Sequence, residues 1–238
     1  MPMFEQAYAP RWRKALKIKT ILQDAYPNDL SQARVLDIGC GNGAITNALA
    51  HDVAAIVGTD IDGTLIAEAQ AHAAPNATFL QSDGAALPFA DEQFDIVICA
   101  QVYEHAHDRP ALVREIERVL RPGGYCFFSG PNKLAVLEEH YWLPFLSWFP
   151  QSIADAYVRI TKRGDEYDVW PMTYWQLRRL WCRFTILDYT PKLLHAPQRF
   201  GVEDELGRLY ILTRLPFAFW RFMAPFLPNF NWVLVKQS

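Results

Sequence analysis

The stretch VLDIGCGNG, residues 35–43, carries three glycines at alternate positions directly after an apolar run. Gly39, Gly41 and Gly43 allow the backbone to turn sharply and allow a ligand to approach it closely. A helix that follows such a loop points its first amide groups toward the ligand. The loop therefore predicts a nucleotide-binding site, although many nucleotide-binding folds share the pattern.

Asp60 ends the next apolar run, which reads VGTD. An acid about twenty residues after a glycine loop can accept hydrogen bonds from both hydroxyls of a ribose. Nicotinamide dinucleotides and S-adenosylmethionine both contain such a ribose. The loop and this acid together leave both cofactors open.

Two further acidic residues help to decide between the two candidate cofactors. Asp37 stands two residues before Gly39, where a carboxylate would repel a pyrophosphate but would suit a ligand with sulfonium and ammonium groups. Asp83 follows the third apolar run, where it can accept a hydrogen bond from an adenine amino group. These acids favour S-adenosylmethionine. A reading of Asp60 and Asp83 as turn aspartates that cap helices stays open at this point.

Short apolar runs alternate with helical patterns between Arg34 and Ser129. The predicted strands cover residues 34–38, 54–60, 78–80, 94–100 and 125–129, and the predicted helices cover 44–51, 63–73 and 108–120. This alternation favours a parallel sheet with helices on both faces. Because ligands of such sheets lie at the carboxyl ends of the strands, the residues just after each strand should form the site.

The remaining chain is less regular. Residues 11–26 have amphipathic spacing, with Trp12, Leu16, Ile21 and Leu22 as the apolar positions, and predict a helix. A helix is also predicted over 173–181, and strands over 184–189 and 232–236. Residues 133–172 and 191–229 are rich in aromatic residues and prolines. We expect one domain over 1–238, with an N-terminal helix in 1–30, a cofactor-binding core at 31–132 and these two stretches as insertions.

Four stretches closely resemble the class I S-adenosylmethionine-dependent methyltransferases with a type 11-like domain. They are VLDIGCGNG (35–43), GTDID (58–62), SDGAALPFADEQFDIVIC (82–99) and EHAHDRPALVREIERVLRPGGYCFFSGPN (104–132), in the order and at the spacing of the family. The resemblance implies a three-layer, doubly wound, Rossmann-like α/β fold. Its mostly parallel seven-stranded sheet would have an antiparallel last strand, with 184–189 and 232–236 as strands six and seven.

The resemblance also implies roles for single residues. S-adenosylmethionine, which leaves as S-adenosylhomocysteine, would contact Asp37, Gly39, Cys40, Gly41, Gly43, Asp60, Ile61, Asp83, Gly84 and Ala100. Asp60 would hold the ribose hydroxyls and Ile61 would pack on the adenine. Asp83, with the backbone of Gly84, would bind the adenine amino group.

A hydroxyl acceptor must lose a proton during methyl transfer, which requires a base such as histidine. His105 follows strand 94–100 with Glu104 beside it and is the candidate base. In the family a Glu-His pair here also serves cofactor packing or loop structure, so both roles stay open. Related quinone and RNA methyltransferases bind a divalent ion here with a Glu three residues before the pair. Gln101 occupies that position, and we expect no metal.

We expect the first insertion to cover the acceptor pocket, with Tyr141, Trp142 and Tyr174 as candidate contacts. Aromatic residues pack more often than they bind, so most of this insertion is expected to be structural. The acceptor would be a small molecule, a glycan or a lipid-linked molecule. For the segment 215–228, LPFAFWRFMAPFLP, burial, membrane contact and pairing of two chains all stay open.

Composition limits the other readings. A net charge of −3 gives no sign of nucleic-acid binding. The start lacks the features of a signal peptide, and no apolar run is long enough to span a membrane. Four cysteines without metal spacing indicate reduced thiols in a cytoplasmic protein, peripheral to a membrane if 215–228 binds one. A nicotinamide-dependent oxidoreductase and a non-catalytic S-adenosylmethionine-binding scaffold are the alternatives, and the oligomeric state stays open.

Overall fold

The computed structural model describes residues 9–237, which fold around one seven-stranded sheet. The strands are β1 (Arg34–Ile38), β2 (Ala55–Asp60), β3 (Ala77–Gln81), β4 (Phe94–Ala100), β5 (Leu120–Pro131), β6 (Phe184–Asp188) and β7 (Asn229–Lys236). Their order across the sheet is β3-β2-β1-β4-β5-β7-β6. Strands β1 to β5 are parallel, and β7 runs antiparallel to both β5 and β6. This confirms the expected mostly parallel sheet with an antiparallel last strand.

The strand register brings the carboxyl ends of the parallel strands together. Ile38 lies opposite Thr59, Asp60 lies opposite Gln81, and Ala100 lies opposite Ser129. We call this border of the sheet the carboxyl edge. Every residue that directly follows β1, β2, β3 or β4 therefore emerges at the same side of the molecule.

Helices cover both faces of the sheet. They are α1 (Ala9–Ala25), α2 (Ala44–Ala50), α3 (Gly63–Ala71), α4 (Arg109–Val119), α5 (Gln151–Ile160), α6 (Tyr174–Leu180), α7 (Thr190–His195), α8 (Glu203–Leu206) and α9 (Phe217–Met223). One core cluster joins α4 and α6 to one face of the sheet, and a second joins α1, α2 and α7 to the other face. The three-layer Rossmann-like architecture expected from the sequence is thus confirmed.

Helix α4 shows how local sequence builds this framework. Asp108 caps its start, since the Asp108 carboxylate accepts a hydrogen bond from the amide of Ala111 at 2.8 Å. Leu112, Ile116 and Val119 lie on one helical face and are fully buried. The helix ends where β5 begins, within a residue of the predicted end.

Helix α1 begins two residues before the predicted helix and ends one residue before its predicted end, and its apolar face is only partly the predicted one. Ala15, Ile18, Ile21 and Leu22 point into the core. The predicted apolar positions Trp12 and Leu16 are instead 45% and 44% exposed. Small Ala15 lets this turn of the helix approach the core closely, which rotates the larger side chains outward.

The first insertion builds a small core of its own. A short hairpin pairs Leu137–Glu138 with Leu143–Pro144, and α5 packs beside it. Asn132 joins the start of this insertion to the end of the second one: its side-chain amide donates to the carbonyls of Pro225 and Leu227 at 2.9 and 2.8 Å. The two insertions therefore meet at the carboxyl end of β5.

The segment 215–228 is partly buried and partly exposed. Trp220 of α9 packs inward at 6% exposure, whereas Phe222 is 75% and Phe226 50% exposed. Across residues 9–237, no helix is both long and apolar enough to cross a bilayer. The four cysteines are free thiols, as expected, and only Cys182 is exposed.

Candidate cofactor and acceptor site

The glycine loop lies between β1 and α2 at the carboxyl edge. All three of its glycines have positive φ, at 71°, 54° and 76° for Gly39, Gly41 and Gly43. A Cβ on Gly39 would lie 2.4 Å from the side chain of Val102, whereas a Cβ on Gly41 would meet nothing within 4 Å. Gly39 is therefore needed for internal packing, while Gly41 borders open space where a ligand can approach.

Asp37 lies beneath the loop and is almost fully buried. Its carboxylate accepts a 2.6 Å hydrogen bond from the hydroxyl of Thr46 in α2. Burial raises the pKa of Asp37 to about 7, and the negative charge of Asp60 contributes to this rise. The hydrogen bond from Thr46 acts in the opposite direction and lowers the pKa. A cationic ligand group beside Asp37 would restore its charged form.

Asp60 closes the other side of the loop. Its two oxygens accept hydrogen bonds from the amides of Gly41 at 2.8 Å and of Asp62 at 3.0 Å. Ile61 follows with 70% of its side chain exposed. An exposed isoleucine beside Asp60 offers an apolar surface to a flat ring.

Asp83 and Gly84 follow β3 at the same edge. The amide of Ser82 donates to the carbonyl of Asp60 at 2.9 Å, which fixes the end of β3 beside the end of β2. The Asp83 carboxylate is exposed and accepts from the amide of Ala85 at 2.9 Å. The structure therefore brings Asp37, the glycine loop, Asp60 and Asp83 to one edge, as the sequence predicted.

Cys40 contributes to the loop through its backbone. Its amide donates to the carbonyl of Thr59 at 3.0 Å. Its side chain packs with Ile66, Ala69 and Phe79 beneath α3, and burial raises the pKa of the thiol. A role in cofactor binding is thus left to the main chain of Cys40.

A cavity of about 610 Å³ opens beside the loop, at the ends of β4, β5 and β7. Ile45 of α2 and Ala100, predicted as a cofactor contact, border it on the cofactor side. Its apolar wall comes from α1 and the second insertion, including Ile18, Leu194 and Val202. Of the predicted cofactor residues, Ala100 lines this cavity, and Ile45 lines it two residues after Gly43.

Of the three aromatic residues predicted to contact the acceptor, one lines the cavity and two pack elsewhere. Trp142 lines the cavity. Tyr141 packs edge-on against Tyr167 in the core of the first insertion, with ring centroids 5.6 Å apart. Tyr174 packs against Trp232 at 5.5 Å, on the opposite face of the sheet from α1. Sequence reasoning missed the large share of the cavity that the second insertion supplies.

A polar cluster lies at one end of the cavity. Gln101, which has φ +60°, donates its side-chain amide to Glu104 at 2.8 Å and to Glu139 at 3.2 Å, in the orientation that satisfies both ends of the amide. Glu139 accepts from the Asn229 amide at 3.0 Å. Gln101, Glu139 and Asn229 line the cavity, and Glu104 lies fully buried behind them.

Two histidines complete this cluster. The His105 and His140 rings lie edge-to-face with centroids 5.4 Å apart. His140 Nδ1 lies 2.7 Å from the Glu138 carboxylate, and this hydrogen bond raises the pKa of His140. Burial and the neighbouring charge of His140 lower the pKa of His105. Burial raises the pKa of Glu104 to about 8.

The donor atoms of this cluster would accept a divalent ion. One carboxylate oxygen of Glu104 and one ring nitrogen each of His105 and His140 lie within 4.8 Å of one another. Oε2 of Glu104 is buried without a hydrogen-bond partner. An ion bound through Oε2 would satisfy this atom and polarise a coordinated hydroxyl. The absence of a metal, which we expect from Gln101, stays a prediction, and elemental analysis of the purified protein would test it.

Comparisons with known proteins agree with this geometry. The sequence profile of the methyltransferase domain family matches residues 36–128. A ubiquinone biosynthesis O-methyltransferase from Pseudomonas entomophila is 34% identical over 127 residues, which cover 49% of this chain and 55% of the relative. One from Methylobacterium nodulans is 35% identical over 138 residues, 54% of each chain. The chain thus spans about half the length of the curated relatives it matches.

A solved structure extends the likeness to nearly the whole fold. The S-adenosylmethionine-dependent methyltransferase from Mesorhizobium loti superposes with a TM-score of 0.60 at 17% identity, over 92% of this chain and 98% of that one. At this identity the likeness concerns the fold alone. The domain match, the glycine loop and the acids at the carboxyl edge agree on one assignment. Residues 36–128 match the methyltransferase domain family, and the chain shares the fold of the Mesorhizobium loti enzyme.

Proposed function

We propose that this chain transfers the methyl group of S-adenosylmethionine to a hydroxyl group of a small-molecule, glycan or lipid-linked acceptor. The observation that carries the proposal is the 610 Å³ cavity bordered by Ala100 and Ile45, directly beside the cofactor edge. Its volume lies within the range of about 300–1,000 Å³ that small-molecule sites occupy. Methyl transfer is an in-line displacement, so the protein mainly positions and desolvates the acceptor next to the sulfonium carbon.

Two observations support oxygen as the accepting atom. The curated relatives that match the cofactor half are named as O-methyltransferases. The cavity also ends at Gln101 and Glu139, beside the buried Glu104 and the exposed His105. Carboxylates and imidazoles in this place can orient a hydroxyl and take up its proton. We assign the role of base to His105.

The acceptor is tested by label transfer. The protein is incubated with S-adenosylmethionine labelled at the methyl group and with separate lipid, glycan and small-metabolite extracts. We expect label in a base-stable product of one of these extracts. Label that appears only in protein or RNA would contradict the proposal, which excludes nucleic acid as the acceptor.

The role of His105 is tested with the extract that accepts label. His105→Ala should lower turnover by about 100-fold, the lower end of the range for a lost general base, and should leave the affinity for S-adenosylhomocysteine within twofold. Equal loss of both quantities would assign His105 to the cofactor shell instead. His107→Ala, an exposed histidine two residues away, serves as the matched control and should change neither quantity.

Two alternatives are tested with the same protein. Thermal stabilisation by NAD but not by S-adenosylhomocysteine would favour an oxidoreductase. Asp37 beneath the loop argues against that outcome, because its carboxylate would face a pyrophosphate. Tight binding of S-adenosylhomocysteine without label transfer to any extract would favour a cofactor-binding scaffold.

We also propose peripheral membrane contact through residues 215–228. Phe222 and Phe226 project outward, while Leu227 and Pro228 next to them line the cavity. An exposed aromatic segment at the border of an apolar cavity suits an acceptor that is drawn from a lipid surface. Co-sedimentation with vesicles tests this contact, and equal recovery with and without vesicles would contradict it.

A further inference from the structure

Two polar side chains lie side by side on the sheet wall of the cavity. Ser129 of β5 pairs directly with Asn231 of β7, so both side chains project from the same face of the sheet. Each residue is 8% exposed, and both line the cavity. We refer to them as the Ser129–Asn231 pair.

The side chains of this pair have unused hydrogen-bonding capacity. Within the described part of the chain, neither side chain has a hydrogen-bond partner. Their main-chain groups are used elsewhere: the Ser129 carbonyl accepts from the amide of Gln101 at 2.8 Å, and the Asn231 amide donates to the hydroxyl of Thr190 at 2.9 Å. The backbone is thereby fixed, and the polar side-chain atoms face the cavity. Polar groups in a buried position without a partner cost free energy unless a ligand or water satisfies them.

Apart from the hydroxyl of Thr190, which is bonded to the Asn231 amide, the side chains named next around the pair are apolar. Phe127 lies two residues before Ser129 on the same face and also lines the cavity. Ile18 of α1 and Leu193 of α7 line it from the helical side. A hydrocarbon would fill this part of the cavity but would leave both polar groups unsatisfied. A ligand with a hydroxyl or carbonyl group at this point would satisfy them.

The pair is separate from the polar cluster that we assign to the reacting oxygen. Glu139, Gln101 and Asn229 are hydrogen-bonded to one another, whereas the Ser129–Asn231 pair has no side-chain link to them. The cavity therefore contains two polar places, and only one lies beside His105 and Glu104. The second can recognise a part of the acceptor that does not react.

We infer that Ser129 and Asn231 determine acceptor specificity by binding a second hydrogen-bonding group of an otherwise apolar acceptor, distinct from the hydroxyl that is methylated. This inference rests on the proposed function, because it takes the cavity as the acceptor site. It assigns recognition to the sheet and to α1 and α7, rather than to the first insertion. Acceptors that carry only the reacting hydroxyl would be poor substrates.

The test compares 2-naphthol with naphthalene, two probes with the same rings that differ by one hydroxyl group. Binding to the full chain is measured by equilibrium dialysis with saturating S-adenosylhomocysteine. The wild type should bind 2-naphthol about tenfold more tightly, as expected for one well-formed hydrogen bond in a buried site. The double variant Ser129→Ala, Asn231→Leu should lose this preference while it keeps its affinity for naphthalene within about twofold.

A neighbouring variant provides the matched control. Leu194→Ala changes a half-buried residue that lines the same cavity but offers no side-chain hydrogen bond. It should keep the preference for 2-naphthol over naphthalene. Survival of the preference in the double variant, or its equal loss in Leu194→Ala, would overturn the inference. If the double variant does not fold, Ser129→Ala and Asn231→Ala alone should each reduce the preference.

The two proposals fail in different ways. S-adenosylhomocysteine binding is titrated in the same samples and should stay within about twofold in every variant. A wild-type chain that binds both probes equally would overturn the role of the pair, whatever label transfer shows. A clear preference for 2-naphthol that the double variant abolishes, without methyl transfer to any extract, would retain the pair as a ligand site and contradict the enzymatic function.

Discussion

The carboxyl edge, where we place the cofactor, and the cavity, where we place the acceptor, lie side by side but are built in different ways. The edge uses main-chain groups of Gly41 and carboxylates of Asp37 and Asp60, all at the ends of β1 and β2, which follow one another along the chain. The cavity uses side chains from α1, β4, β5, α7, β7 and both insertions. The first contact surface is set by backbone conformation, and the second by packing between distant segments.

This difference teaches what each region can tolerate. A change in backbone conformation at the edge should remove cofactor binding and leave the cavity intact. A change of side-chain volume in the cavity should remove acceptor binding and leave the cofactor in place. The first two predictions below separate the two regions by measuring S-adenosylhomocysteine affinity and 2-naphthol affinity on the same variant.

The largest effect is expected for Gly41→Ala. Gly41 has φ 54°, and a Cβ there projects into open space that we assign to the cofactor. The substitution should weaken S-adenosylhomocysteine binding about 100-fold, from about 3 kcal/mol of steric conflict with the ligand. Isothermal titration measures the affinity, and 2-naphthol binding to the ligand-free protein should stay within about threefold.

Gly123→Ala is the matched control for backbone strain. Gly123 has φ 69°, and a Cβ there also meets nothing within 4 Å, but it lies in β5 just after α4, away from the carboxyl edge. Both substitutions should lower the free energy of unfolding by about 1–2 kcal/mol through the left-handed conformation. Similar losses of cofactor affinity in both variants would show that strain, not contact, explains the effect of Gly41→Ala.

The second prediction fills the cavity from the second insertion. Leu194→Trp adds volume at a half-buried position that lines the cavity. Affinity for 2-naphthol should fall about 30-fold, for about 2 kcal/mol of overpacking, with S-adenosylhomocysteine binding nearly unchanged. The control Leu137→Trp lies in the hairpin of the first insertion at 44% exposure and should alter neither affinity. If both tryptophan variants lowered the affinity for 2-naphthol equally, the second insertion would have no special part in forming the cavity.

The cofactor edge was predictable because it depends on neighbours in sequence. In a parallel sheet the chain returns to the same edge after every strand, so Asp37, Asp60 and Asp83 had to meet once the strands were found. Their spacing and charge then indicated the ligand. The exposed position of Ile61 at the same edge follows directly from that of Asp60, and its contact with the adenine stays a prediction.

The acceptor cavity could not be read in the same way. Ser129 and Asn231 are about a hundred residues apart, and only the antiparallel register of β5 and β7 makes them partners. A polar residue at the end of each apolar strand was the one signal that could have pointed to them. Of the aromatic residues singled out, Trp142 lines the cavity and Tyr141 packs on Tyr167. Nothing in composition separates these two outcomes, because aromatic side chains serve both roles.

The third prediction uses pH to isolate Asp37. In the free protein burial raises the pKa of Asp37 to about 7, so the carboxyl group is mostly protonated at pH 6. A bound ammonium group favours the carboxylate, so binding must release this proton at low pH. Affinity for S-adenosylhomocysteine should therefore rise about tenfold from pH 6 to pH 8. The Asp37→Asn variant should show a flat profile over that range.

The stability of the ligand-free protein should change in the opposite direction. The pKa of Asp37 in the folded state lies above its ordinary value of 3.8, so the folded protein binds the proton more tightly than the unfolded chain does. The free energy of unfolding should fall, relative to Asp37→Asn, by about 2–4 kcal/mol as pH rises from 4 to 8. Urea unfolding of both proteins measures this difference. Parallel pH profiles would contradict the raised pKa.

The smallest effect concerns the outer border of the cavity. If the acceptor side faces a lipid surface, replacement of Phe222 and Phe226 by serine should reduce binding to phosphatidylglycerol–phosphatidylcholine vesicles about fivefold, equivalent to about 40 Å² of apolar contact. Co-sedimentation measures the bound fraction. Ile160→Ser, at a 79% exposed apolar position that ends α5, is the control and should bind vesicles as the wild type does.

Comparing these two variants distinguishes specific membrane binding by residues 215–228 from non-specific binding through any exposed apolar side chain. Equal losses for Ile160→Ser and the double serine variant would mean that any exposed apolar side chain contributes, and the segment 215–228 would have no special role. A loss confined to the double variant, with unchanged affinity for S-adenosylhomocysteine and for 2-naphthol, would separate membrane contact from both binding regions. The acceptor cavity would then face the lipid surface, because Leu227 and Pro228 line it directly beside Phe226.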